Sequence, residues 1–156
     1  MNFEAFNFET ILDGNALEFL TFKIFKTHNF FDIYHIPLEH VVTFAGEIKL
    51  GYFKENPYHN IPHILDSMQG LHYLMINGEI HKTLKRHDIF GIFIACLMHD
   101  YEHPGYSNQF IVKAKHPLAI RYSDISVLEN HHLAAGFSIL FTFPNCNIIE
   151  NMGYEL

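Results

Sequence analysis

Asp88-Ile89-Phe90-Gly91-Ile92-Phe93-Ile94-Ala95-Cys96-Leu97-Met98-His99-Asp100-Tyr101-Glu102-His103-Pro104-Gly105 is the stretch on which the fold turns. From Ile89 to Met98 it is almost wholly apolar, as in a helix packed on all sides, and Asp88 is placed to cap the start. Composition alone also allows a buried strand, but no other segment offers a strand to pair with it. The polar cluster from His99 to His103 ends the run, and Pro104-Gly105 breaks it.

Upstream, Ile64, Met68, Leu71 and Met75 recur at helical spacing and stop near Asn77-Gly78, which predicts an amphipathic helix with His59 and His63 at its N-terminus. Pro37 opens an earlier helix through Leu38, Val41, Val42, Ala45 and Ile48, closed by Gly51. Between Gly14 and His28, the residues Leu17, Leu20, Ile24 and Phe25 mark another, with Asp13 or Asn15 as its cap. Downstream, Ser126-Val127-Leu128-Glu129 has the spacing of a capping box and opens a helix through Leu133, Phe137 and Leu140. No repeat, low-complexity tract or linker interrupts the chain, so one all-α domain is expected.

The composition agrees with a packed domain: 156 residues, 49% hydrophobic, with 16 Phe. Charged residues make up only 17%, low for a surface wholly in water, which leaves apolar surface to a partner. A formal charge of -7 and the lack of a Lys/Arg cluster argue against nucleic acid. Met1-Asn2-Phe3-Glu4 has neither the basic nor the apolar region of a secretory signal, and no apolar run approaches the roughly 20 residues of a membrane span. The chain is therefore expected to be cytoplasmic. Cys96 and Cys146 make no disulfide framework, and Cys96 reads as a buried reduced thiol.

Thirteen histidines remain to be explained. His99 and Asp100 are adjacent at the end of the apolar helix, and His63 lies on another. Imidazole and carboxylate together suit zinc and its borderline neighbours. A lone His near a helix end is more often a cap or a solvated residue, and a lone His-Asp pair is common by chance, so either piece alone is weak.

Taken in order, three blocks make a pattern. Tyr58-His59-Asn60-Ile61-Pro62-His63-Ile64-Leu65-Asp66-Ser67-Met68-Gln69 resembles the first metal-site motif of the class I cyclic-nucleotide phosphodiesterases. His99 to Gly105, continued by Tyr106-Ser107-Asn108-Gln109-Phe110, is similar to that family's signature, and Val127-Leu128-Glu129-Asn130-His131-His132-Leu133 to a third block. The segment before Tyr58 resembles the family's opening helices. Departures are small: Ile64 stands where the family usually has Ala, and Pro62 occupies a variable position.

The resemblance implies a compact multi-helix domain of the His-Asp phosphohydrolase type that hydrolyses 3',5'-cyclic AMP or GMP to the 5'-monophosphate. It assigns His63, His99 and Asp100 to a tightly held metal, usually zinc, with Asp100 bridging to a second, usually magnesium and in some cases manganese. Two cations then hold the phosphate oxygens and acidify a shared water. His59 would be the general acid for the leaving 3'-oxygen, beside the ligands without being one of them. His103 and Glu129 would hold waters of the second metal, and Tyr58 would line the substrate pocket. Glu129 has a bland alternative, closing the capping box on Ser126. Asp66 supports the site or is a solvated helix-face carboxylate, and Asn108 is structural. His28, His35, His40, His81, His87 and His116 read as surface or capping residues.

By the same resemblance residues 1–156 are a partial catalytic domain with the C-terminal helices missing. With those helices go a further metal-ligating Asp, a Glu that orients the general acid and a Gln that grips the purine. Little turnover is therefore expected of the chain alone, together with association through the exposed apolar face of Leu133, Phe137, Leu140 and Phe141. The competing expectation is a catalytically incompetent fragment that acts as a metal-binding or helix-interaction module. A different phosphohydrolase of the broader His-Asp group is disfavoured by the Pro104-Gly105 and Asn130-His131-His132 blocks.

Overall fold

The computed structural model describes residues 4–152, and every regular element among them is helical. The order is α1 (Ala5–Ile11), α2 (Ala16–Thr27), α3 (Phe30–Ile33), α4 (Leu38–Leu50), α5 (Ile61–Asn77), a 3-10 turn (Ile80–Lys82), α6 (Arg86–Met98), α7 (Asn108–Lys113), α8 (Pro117–Arg121) and α9 (Val127–Thr142). Met1-Asn2-Phe3, part of the leader reading, lies outside the described residues. No helix among them is long and apolar enough to cross a membrane.

Apolar faces decide the packing. Leu17, Ile24 and Phe25 of α2 meet Val41, Phe44 and Ile48 of α4, while Ile64, Leu65 and Met68 of α5 and Phe93, Leu97 and Met98 of α6 complete one core. Each large side chain buried there contributes roughly 1.5–3 kcal/mol relative to exposure. A smaller cluster of Ile111, Ala119, Val127 and Leu128 seats α7 and α8 under the start of α9. Two buried groups thus hold the segments on either side of Pro104-Gly105.

Helix starts differ from their expected chemistry in instructive ways. Asp88 is not the cap of α6: the helix begins at Arg86, and the Asp88 carboxylate reaches back to accept from the Lys85 N–H at 3.1 Å. Asn15 precedes α2 but donates to the Leu12 and Asp13 carbonyls, so its side chain serves the preceding turn. Ser126 adopts φ +41° and makes no cap hydrogen bond, so the capping box does not form. Asn108, from the signature block, caps α9 instead: its Oδ1 accepts from the Leu128 N–H at 2.9 Å.

α6 is also less enclosed than its composition implies. Gly91, Ala95 and His99, spaced at i, i+4 and i+8, form an exposed stripe. Within the helix that stripe consists of the small residues Gly91 and Ala95, so α6 is apolar without being covered all round. At the far end of α4, Gly51 lies so close to the Tyr101 ring that a Cβ would sit 2.0 Å from it, and its carbonyl accepts from the Glu102 N–H at 3.0 Å. This contact presses the turn after α6 against the α4–α5 loop.

Candidate metal centre

Three side chains converge where α5 begins and α6 ends. His63, in the first turn of α5, follows the N-cap Asn60, whose Oδ1 accepts from the His63 N–H at 3.4 Å. Its Nε2 lies 3.2 Å from His99 Nε2 and 3.0 Å from Asp100 Oδ2, and His99 Nε2 lies 3.1 Å from the same oxygen. Such a triangle has corners about 1.8 Å from its centre, so an ion roughly 2.0–2.2 Å from each corner fits just off its plane.

Tautomers support the same fit. His99 Nδ1 is 2.7 Å from the Cys96 carbonyl, which can only accept, so Nδ1 carries a proton and Nε2 is the nitrogen turned toward His63 and Asp100. Burial works against charge on His99, yet its hydrogen bond with Asp100, the Cys96 carbonyl and the Asp100 charge outweigh it and raise the pKa. Burial lowers His63 despite the Asp100 charge. For Asp100, burial favours the acid form, but the His99 hydrogen bond and the neighbouring imidazoles bring the carboxyl down to about 2. The residues present fit a divalent cation: two imidazoles and an ionised carboxylate aimed at one point.

A second group of donors shares Asp100. Ring nitrogens of His59 and His103 and an Asp100 oxygen lie within 4.8 Å of one another. His59, expected beside the ligands, is therefore near enough to a second cluster to count among its donors. Its ring stacks on His103 at 3.7 Å between centroids and 18° between planes. His103 is buried, and its Nδ1 accepts from the Gly105 N–H at 3.0 Å, which leaves Nε2 as a donor. Burial, with neighbouring His59 adding to it, lowers His103 to about 4.

The outer positions divide. Glu129 is held by Asn108 Nδ2 at 2.9 and 3.2 Å, which lowers its pKa, and makes no capping box. The Tyr58 ring stands 4.6 Å from that of His63 and is 63% exposed, at the rim. Tyr58, His63 and exposed Asp66 join Glu4, Phe6 and Asn60 around an open cavity of about 310 Å³.

Several residues escaped the sequence reading. His132 is buried, with Nδ1 donating to the Tyr101 carbonyl at 2.6 Å and Nε2 at 4.0 Å from Asp100 Oδ1. Its neighbour His131 pairs with Glu102 at 2.8 Å. The His131-His132 doublet was visible, and its position one turn into α9 was the available signal. Tyr52, whose hydroxyl donates to the Leu97 carbonyl at 3.1 Å and accepts from the Asp100 N–H at 3.4 Å, carried no signal. His28, expected on the surface or at a cap, is the C-cap residue of α2 but is half-buried, 3.3 Å from His72.

An all-helical domain with a mixed histidine and carboxylate donor cluster is the class this geometry defines. Residues 58–155, more than half of the chain, match the family described as 3'5'-cyclic nucleotide phosphodiesterase, and the chain belongs to that family. It is 34% identical over 155 residues to the mouse dual specificity calcium/calmodulin-dependent 3',5'-cyclic nucleotide phosphodiesterase 1C, covering 99% of this chain and 22% of that one. With the 3',5'-cyclic-AMP phosphodiesterase 4 of Dictyostelium discoideum it shares 36% identity over 139 residues, 89% of this chain and 13% of the relative. The crystal structure of the phosphodiesterase domain of the RhoPDE fusion protein from the choanoflagellate Salpingoeca rosetta superimposes with a TM-score of 0.81 at 28% identity, over 88% of this chain and 43% of that one. The chain thus spans less than a quarter of these two curated relatives and under half of the solved domain.

Proposed function

We propose that this site takes part in hydrolysis of the 3',5'-cyclic phosphodiester of cyclic AMP or cyclic GMP to the 5'-monophosphate. The observation that carries the reading is the meeting of His63, His99 and Asp100 within 3.0 to 3.2 Å in a chain of this family. His63, His99 and Asp100 would hold the first cation, Zn2+. Asp100, with a second carboxylate oxygen to offer, would also serve a second cation, Mg2+ or Mn2+, and His103 and Glu129 would hold its waters. Two bound cations neutralise phosphate charge and make a nucleophile available at neutral pH. They also offset the repulsion between an acidic protein and an anionic substrate.

The chain's own residues do the rest. His59, flat against His103 and beside Asp100, passes a proton to the departing 3'-oxygen. Asn108 steadies Glu129 from below. Tyr58 forms one wall of the substrate entrance and leaves it open to water. Such catalysis needs its groups in register, and displacement by about 1 Å costs roughly a hundredfold.

The expected behaviour of the 156-residue chain is therefore strong metal binding with slow turnover. Purified protein loaded with Zn2+ and Mg2+ is assayed for 5'-monophosphate release from both cyclic nucleotides, beside His99→Ala. Release that persists in His99→Ala, or failure of the parent protein to take up metal, sinks the assignment. Metal uptake with no release at all selects the second reading, a metal-holding helical module, which the exposed Leu133, Phe137 and Phe141 on α9 favour; Leu140, expected on the same face, is instead buried in the core.

A further inference from the structure

Asn56 lies in the loop between α4 and α5, outside each of the motif blocks. Its backbone groups and its side-chain NH2 are all engaged. The backbone N–H donates to the Phe53 carbonyl at 3.1 Å, and the backbone carbonyl accepts from Asn60 Nδ2 at 2.8 Å. Side-chain Nδ2 donates to the His103 carbonyl at 2.7 Å and to the His59 carbonyl at 3.3 Å. Oδ1 faces Gly105, where a Cβ would stand 2.8 Å away and where φ is +81°.

A primary amide has two N–H donors in one plane, and here they serve carbonyls from two different loops. One loop carries His59 and the other His103. The His103 ring is independently fixed by the Gly105 N–H and lies 5.5 Å from the His132 ring at 19°. His59 leans on that fixed ring. Pinning the two backbones together therefore sets where the His59 ring stands relative to Asp100.

We propose that Asn56 is the positioning residue for His59: by clamping the His59 and His103 carbonyls it holds the stacked pair in register beside the His63, His99 and Asp100 cluster. Gly105 is part of the device, because any side chain there would displace the carboxamide. Aspartate would be the wrong residue at position 56 although it has the same shape. It has no N–H to donate and would set carboxylate oxygens against two carbonyls. The consequence for turnover rests on the role proposed above for His59; the placement itself does not.

The test reads the stack directly. In the full chain, rings stacked at 3.7 Å shift each other's carbon-bound protons upfield in NMR spectra. Asn56→Asp and Asn56→Ala are expected to move the His59 and His103 ring signals toward those of unstacked histidine. The His28 and His72 ring signals should stay in place, and Zn2+ uptake should be unchanged. Unmoved His59 and His103 signals in both variants would show that the stack stands without the clamp and overturn the proposal. Loss of the His28 and His72 signals in both variants, or loss of Zn2+ uptake, would also overturn it, since Asn56 would then hold the whole fold or the ligands rather than one ring. Because no turnover is measured, the clamp stands or falls separately from the proton-donor role of His59.

Discussion

His28 and His72 meet at 3.3 Å between ring nitrogens, and His63 and His99 at 3.2 Å, yet the two places are chemically different. Around His28 lie Phe30, stacked at 5.3 Å, and Phe93 at 5.1 Å, and the groups that bear on its charge are His72 and His81. Around His63 and His99 lies the ionised Asp100, bound to both. Two imidazoles alone satisfy each other with one hydrogen bond and join α2 to α5. Adding a carboxylate leaves more lone pairs than protons at one point, and a cation balances that excess. Histidine proximity marks a site only when the surrounding charge leaves it unsatisfied.

Removing one member from each place should have very unequal effects on metal. His99→Ala is expected to weaken Zn2+ affinity by more than the roughly 10–100-fold that outer groups command, so that purified protein retains little Zn2+ by elemental analysis. His72→Ala and His59→Ala should leave it nearly unchanged. Equal loss in His99→Ala and His59→Ala would remove the distinction between ligand and proton donor.

Acid should act on the other pair. Burial, then the neighbouring His72 and His81, hold His28 at about 4, below the ordinary 6.5, and burial also lowers His72. The folded state thus favours neutral rings, and on acidification the unfolded chain takes up protons first. The stability contributed by the pair is complete above pH 6.5 and is lost as pH falls through about 4. Urea midpoints measured across this window should fall less steeply for His28→Gln than for the parent. Identical slopes would mean that the pair does not titrate with folding.

The smallest effects concern how α9 begins. Asn108→Ala removes the acceptor for the Leu128 N–H and the donor to Glu129, and should cost about 1 kcal/mol in urea unfolding. Ser126→Ala should change stability by less than about 0.5 kcal/mol, because Ser126 caps nothing. A larger loss at Ser126 than at Asn108 would restore the capping box.

By itself the sequence determined the long helices and singled out the three side chains that converge as a candidate metal site. Apolar residues at spacings of three and four mark α2, α4, α5 and α9 because one face of each must be buried, and that period is written locally. His63, His99 and Asp100 were legible because each stands at a recognisable helix end within a recurring motif. Tertiary structure alone decided which polar groups answer one another across loops. Asn56 meets His103, Asn108 meets Leu128, His131 meets Glu102 and His28 meets His72, and none of these pairs shares an element. It also decided that Ser126 would not cap α9, since its left-handed backbone, at φ +41°, is not the extended conformation of an N-cap, and Asn108, 20 residues before Leu128, serves the Leu128 N–H instead. A hydrogen bond needs its partner within about 3 Å. Which partner arrives there depends on how α4, α6 and α9 pack, and no local periodicity records that.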